Sequence, residues 1–248
     1  MAATSSFYSI VAGVGAGTGR SVALKFAKTY PVALLARTPE SYVSVVREIN
    51  AAGGKAMGVS ADVSSEASLE EAFAEIEREF EGKRLAAAIY NVGGRFVRKP
   101  FLELTREEYA AGFQANGVGF YLFAQATLPG LLASVPDAPH PPSLIITGAT
   151  ASLRGSATMS SFASGKFALR ATGQSLAREF GPQGVHVAHA IIDGVIDIPR
   201  TKDWPVNGGA PDGKISPDAI AESYWYLHTQ PRSHFTQELD VRPYVERF

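Results

Sequence analysis

The chain has no cysteine among its 248 residues, so neither disulfide bonds nor thiol chemistry can hold its fold or act in a site. It also lacks an excess of charge: 23 Lys and Arg stand against 24 Asp and Glu, and the basic residues are scattered rather than gathered into a run. A nucleic-acid partner requires a basic stripe, so none is expected. Long apolar runs are missing as well. The longest are the length of a strand, and Met1 to Ser9 has neither the basic start nor the apolar stretch of a signal peptide. A soluble cytoplasmic protein with no membrane partner is the expectation. The five histidines have no metal-ligand spacing; His186 and His189, flanking a predicted strand, would point to opposite faces. No Gly-x-Ser-x-Gly elbow is present to support a hydrolase. Gly165-Lys166 lacks both the following Ser/Thr and the upstream glycine of a phosphate-binding Walker loop.

What is present is enough apolar residue, 46% of the chain, to bury one large core. Short apolar runs at Phe7–Ala12, Val32–Ala36, Ala56–Ser60, Leu85–Tyr90, Ser143–Thr147 and Val185–Ile192 read as strands. Between them stand helix-spaced sets: Val22, Ala23, Phe26 and Ala27; Tyr42, Val45, Val46 and Ile49; and Leu69, Ala72, Phe73, Ile76 and Phe80. A long helix is expected from about Glu107 to Leu132, ended by the Pro-rich segment Pro136–Pro142, and another from Ser160 to Phe180. Strands alternating with such helices imply an α/β fold whose parallel sheet is covered on both faces. Beyond Gly194 a Pro/Gly-rich stretch, Pro199–Pro217, precedes a helix with Ile220, Tyr224 and Leu227 and a last strand near Phe235–Val241. That stretch, roughly 197–217, is expected to be a lid over the substrate end of the sheet, since long loops in compact domains are usually functional or disordered.

Gly13, Gly17 and Gly19 form G-x-x-x-G-x-G between the first strand and the first helix, with Thr18 inside the motif. A turn of this kind needs positive φ, and a pyrophosphate must approach backbone N–H groups at a helix N-terminus. Dinucleotide binding is therefore expected here. The second strand ends Ala36-Arg37-Thr38, with no carboxylate for the ribose hydroxyl of NAD. A guanidinium fork at that point suits the 2'-phosphate of NADP.

The glycine loop, Asp62-Val63 after the third strand and Asn91-Val92-Gly93 after the fourth follow the order of the short-chain dehydrogenase/reductase family, which the chain resembles over nearly its whole length. The resemblance implies a single doubly wound Rossmann domain over residues 1–248, with a mostly parallel sheet of seven strands. It also implies that NADP(H) is held by Gly13, Gly17, Thr18, Gly19, Arg37, Thr38, Asp62, Val63, Asn91 and Gly93. Asn116 matches the asparagine that supports a proton-relay water in the family. Gly194, with Val195 and Ile196, falls where the family binds the carboxamide, although Asp193 replaces the usual proline.

The resemblance stops at the proton relay. The family's serine and its Tyr-x-x-x-Lys pair fall on Ala149, Phe162 and Lys166, so two of the three functional groups are gone. Phenylalanine has no proton to give and alanine no hydroxyl to orient a carbonyl. Lys166 can still hold the nicotinamide ribose, the favoured role, or polarise water. Thr147, Thr150, Ser152, Ser161 and Ser164 are nearby hydroxyls among which the sequence does not choose. Asp193 could act as acid or base, or cap a turn. The family resemblance therefore implies an NADP(H)-dependent oxidoreductase moving hydride to or from a carbonyl, imine or activated double bond of a small molecule, with a non-standard relay. A binder of NADP(H) without redox turnover, as sensor, scaffold or non-redox enzyme, is the competing expectation. A homodimer or homotetramer built on the two long helices is implied by the same resemblance.

Overall fold

The computed structural model describes residues 4–248, so the first three residues of the Met1–Ser9 stretch lie outside the described residues. Among the described residues, seven parallel strands form one sheet in the order β3-β2-β1-β4-β5-β6-β7. They are β1 Phe7–Ala12, β2 Val32–Ala36, β3 Ala56–Ser60, β4 Arg84–Tyr90, β5 Ser143–Thr147, β6 His186–Ile192 and β7 Glu238–Val241. The helices are α1 Thr18–Ala27, α2 Val43–Ala51, α3 Glu66–Glu79, α4 Arg106–Phe113, α5 Gly119–Ser134, α6 Ser160–Phe180 and α7 Pro217–His228. No helix among the described residues is long and apolar enough to cross a membrane.

The strands are apolar on both sides because both faces are covered. In β2, Val32, Leu34 and Ala36 point into a core shared with Val22 and Phe26 of α1, Val45 of α2 and Tyr224 of α7. The intervening Ala33 and Leu35 join Ile76 of α3, Phe120 of α5 and Leu169 of α6 on the other face. This period-two split of one continuous apolar run is what a parallel sheet between two helical layers requires.

Three expected elements differ in detail. The helix expected over Glu107–Leu132 is α4 and α5 joined by a wide π turn at Gln114–Val118. The turn releases backbone carbonyls: the Tyr90 hydroxyl donates to Ala115 O, and Asn116 Nδ2 donates to Gly112 O at 3.0 Å. The last strand is shorter than Phe235–Val241, and His186 and His189 lie inside β6 rather than flanking it. The 197–217 stretch is a loop strapped at its base. Ile196 bridges Ile215, Lys214 Nζ donates to Thr201 O at 2.7 Å, and Ser216 caps α7.

Candidate active site

The order of the sheet reverses between β1 and β4, and the crevice outside the carboxyl ends of these strands is where such sheets take ligands. Gly13 leaves β1 with φ +83°, and a Cβ there would lie 2.4 Å from Asn91 O at the end of β4. A Cβ on Gly19 would lie 2.6 Å from Gly13 O. Both glycines are thus enforced by close backbone approach. Gly17 precedes α1 with no side-chain cap, leaving the helix start to an external acceptor, and a Cβ on it would meet Ile198 of the 197–217 loop at 2.6 Å. The base of that loop and the glycine loop are therefore in contact. Asn91 ties the crevice together: its Nδ2 donates to Gly13 O at 3.0 Å and its Oδ1 accepts from the Thr147 hydroxyl at 3.1 Å. Gly93 stands in open space.

At the other end of the crevice Arg37 and Thr38 are exposed just past β2. Asp62 accepts from both the backbone N–H and the hydroxyl of Ser64, which hold its carboxyl below the usual range, helped by the positive Arg37 nearby. Val63 is buried, packed where α5 begins.

The relay end departs from the family as the sequence does. Phe162 stacks edge-on against Phe96, with ring centroids 5.3 Å apart. Lys166, 3% exposed, donates from Nζ to Thr147 O at 2.9 Å, with Nζ 5.9 Å from the Phe162 ring centre. Burial pushes its ammonium down to about 8. Asn116 is fully buried, and its Oδ1 has no hydrogen-bond partner among the described residues.

The hydroxyls near Ala149 separate by what they bond. Thr147 is shared between Asn91 and the Tyr224 hydroxyl, the latter at 2.7 Å. Ser152 accepts from Ala149 N at 3.1 Å. Ser161 donates to Glu108 O and Tyr109 O across the α4–α6 contact, and Ser164 to Ser161 O. Thr150 alone among these five donates to a carboxylate, that of Asp193, which also faces Arg242 Nη2 at 3.5 Å. Gly194, φ +151°, follows, with the C-terminal Pro243 and Glu246 against it. The carbonyls of Val195 and Ile196 are already used, by Ile215 N and the Thr201 hydroxyl.

One cluster was not anticipated. His189 of β6 sits beneath Gly148, where a Cβ would be 2.1 Å from its Nε2. Its Nδ1 lies 3.3 Å from Glu238 Oε1, and Arg170 grips Glu238 through two bonds of 2.7 and 2.8 Å. Burial brings His189 down to about 4, and the Arg170 hydrogen bonds bring Glu238 down to about 2. The spacing of Lys166 and Arg170, four apart on one face of α6, was the available signal. The target of Arg170, Glu238 at 68 residues' separation, was not.

The chain as a whole is similar to known proteins. The family model for short chain dehydrogenases matches residues 8–205. The chain belongs to that family. It is 28% identical over 191 residues to the 1,6-dihydroxycyclohexa-2,4-diene-1-carboxylate dehydrogenase of Acinetobacter baylyi, covering 77% of this chain and 70% of that one. A short-chain dehydrogenase structure from Rhodopseudomonas palustris is 33% identical, with TM-score 0.77 over 95% of this chain and 99% of that one. A metagenomic short-chain oxidoreductase in complex with NADP has the same fold at 23% identity, with TM-score 0.79 over 96% and 97% of the two chains. The family binds a nicotinamide cofactor, and the glycines enforced at Gly13 and Gly19 and the uncapped start of α1 fit one.

Proposed function

We propose that the protein is an NADP(H)-dependent oxidoreductase of a small organic molecule, moving hydride to or from a carbonyl, imine or activated double bond. The observation that carries the cofactor choice is Arg37, exposed at the end of β2 where no carboxylate competes for the adenosine ribose. The neighbour solved with NADP supports the same choice. When bound, the nicotinamide supplies or takes the hydride. The chain's own part begins with Gly13, Gly17, Thr18 and Gly19, which present backbone to the pyrophosphate, while Arg37 and Thr38 hold the 2'-phosphate. Asp62, Val63, Asn91 and Gly93 line the adenosine and ribose, and Gly194 and Ile196 bound the carboxamide end. Lys166 donates to the nicotinamide ribose, and Asn116 keeps a water behind it.

The stretch 197–217 acts as the lid of this single domain. Its segment folds around an open hollow of about 470 Å³ lined by Asp197, Lys202, Trp204 and Lys214. The enzyme works in the cytoplasm as a homo-oligomer. The second reading, NADP(H) binding without redox turnover, draws on the Phe96–Phe162 ring pair at the position of the family's tyrosine.

Two measurements test the proposal. Purified protein given a metabolite extract and NADPH deuterated at the nicotinamide should yield a deuterium-bearing product; binding of NADPH without any labelled product would favour the second reading. Arg37→Ala should weaken NADPH binding about 10- to 100-fold, the worth of a charge-assisted bond, while leaving NADH unchanged. Equal losses for both nucleotides would remove the NADP assignment.

A further inference from the structure

We propose that Thr150 and Asp193 form the proton relay that replaces the missing serine and tyrosine, an inference that rests on the oxidoreductase reading above. Thr150 follows Ala149 directly, at the mouth of β5, and Asp193 precedes Gly194 at the mouth of β6. Of the five hydroxyls in this neighbourhood, four are committed to backbone or to neutral side chains, and Thr150 alone donates to a carboxylate. The pair divides the work by burial. Asp193 is 4% exposed and anchored by Arg242, whereas Thr150 is half-buried, so the hydroxyl is the member a substrate can reach. A purely structural loop staple would need no carboxyl acceptor here, since a backbone carbonyl serves Ser161 and Ser164.

The polarity of the bond fixes the chemistry. Thr150 donates and Asp193 accepts, so the arrangement is set to remove a proton from an alcohol. As the substrate O–H bond breaks, its proton passes to Thr150 Oγ1 while the hydroxyl's own proton passes to the Asp193 carboxylate. The carbinol carbon loses hydride to the oxidised nicotinamide and becomes a carbonyl carbon, and Asp193 returns its proton to solvent. One alcohol is oxidised, one NADP⁺ is reduced and one proton is released. Carbonyl reduction is the same path reversed, starting from protonated Asp193. Thr150 is then a catalytic residue and Asp193 a positioning residue acting through it.

The test uses the full chain with the product found by deuterium transfer. Thr150→Val, which removes the hydroxyl at constant shape, should lower kcat about 10²- to 10³-fold with KM and the NADPH dissociation constant unchanged, the range of general acid–base catalysis. Thr150→Ser should restore most of kcat. Asp193→Asn should lower kcat comparably, because an amide accepts the bond but not the proton. In the ligand-free protein, the infrared carboxylate band absent from Asp193→Asn should shift in Thr150→Val. A Thr150→Val enzyme with kcat within about threefold of the parent, or a carboxylate band indifferent to Thr150, overturns the relay alone. If the unaltered protein transfers no deuterium to any component of the extract, the oxidoreductase reading falls and the relay with it.

Discussion

Lys166 is a buried cation with no carboxylate beside it among the described residues; there it donates to the Thr147 carbonyl. Desolvation is the cause of its fall to about 8, from an ordinary value of 10.5. The folded chain therefore releases this proton before the unfolded chain does, and the unfolded state holds more protons between pH 8 and 10.5. Stability contributed at this site rises with pH through that window. The expected outcome is that the stability difference between the parent and Lys166→Met moves in favour of the parent by up to about 3 kcal/mol from pH 7 to 10.5. Urea unfolding at both pH values measures it, and parallel curves would show an ammonium that water still reaches. A buried cation of this cost is a candidate site residue, in keeping with the role at the nicotinamide ribose proposed for Lys166.

At the scale of elements the position of the site depends on how closely α4 and α6 cross. A Cβ on Gly112 would lie 2.1 Å from Ser161 O, and one on Gly165 would lie 2.2 Å from Gly112 O. No side chain fits between these helices. Gly165→Ala raises intrinsic helix propensity by about 1 kcal/mol, yet the overpacked backbone contact costs about 1–3 kcal/mol or more. The variant should be less stable in chemical denaturation and should bind NADPH more weakly, because Lys166 is the next residue and Asn116 lies in the turn after α4. A variant more stable than the parent would mean that the helices separate freely. The elements themselves were legible because each strand is a short apolar run closed by glycine or a charged turn, and α1, α2, α3 and α7 each have a 3.6-residue stripe. The π turn was not legible, since one extra residue in a turn leaves the apolar pattern of Phe113 to Phe123 almost unchanged. The tight turn of Gly13, Gly17 and Gly19 between β1 and α1 could be read because its parts are local. The Thr150–Asp193 bond and the His189–Glu238–Arg170 cluster join residues from separate elements, and only the register of β5, β6 and β7 with the packing of α6 against them brings them together.

At the scale of the whole molecule, the outer side of α4, α5 and α6 is unusually apolar for a surface. Tyr109 and Phe113 of α4, Tyr121 of α5 and Phe167 of α6 are exposed there, with Phe101 and Leu102 in the turn before α4. Phe113 follows Gly112 and Phe167 stands two residues after Gly165, so exposed aromatic side chains occur on both of these packed helices. Exposed apolar surface on neighbouring helices marks interaction sites, and the near-zero net charge of −1 sets up little repulsion between copies. A second copy of the chain is the expected occupant, in keeping with the assembly implied by the family resemblance. Sedimentation equilibrium at micromolar concentration should return at least twice the chain mass of 26.3 kDa. Phe167→Glu, at a position already in contact with water, should shift that mass to the monomer without loss of helix content. Association should also make the thermal midpoint of the parent rise with protein concentration, while that of Phe167→Glu stays constant. Because Phe167 adjoins Lys166, loss of the partner should weaken NADPH binding as well, whereas a monomeric parent with full affinity would leave the exposed face without a role in the site.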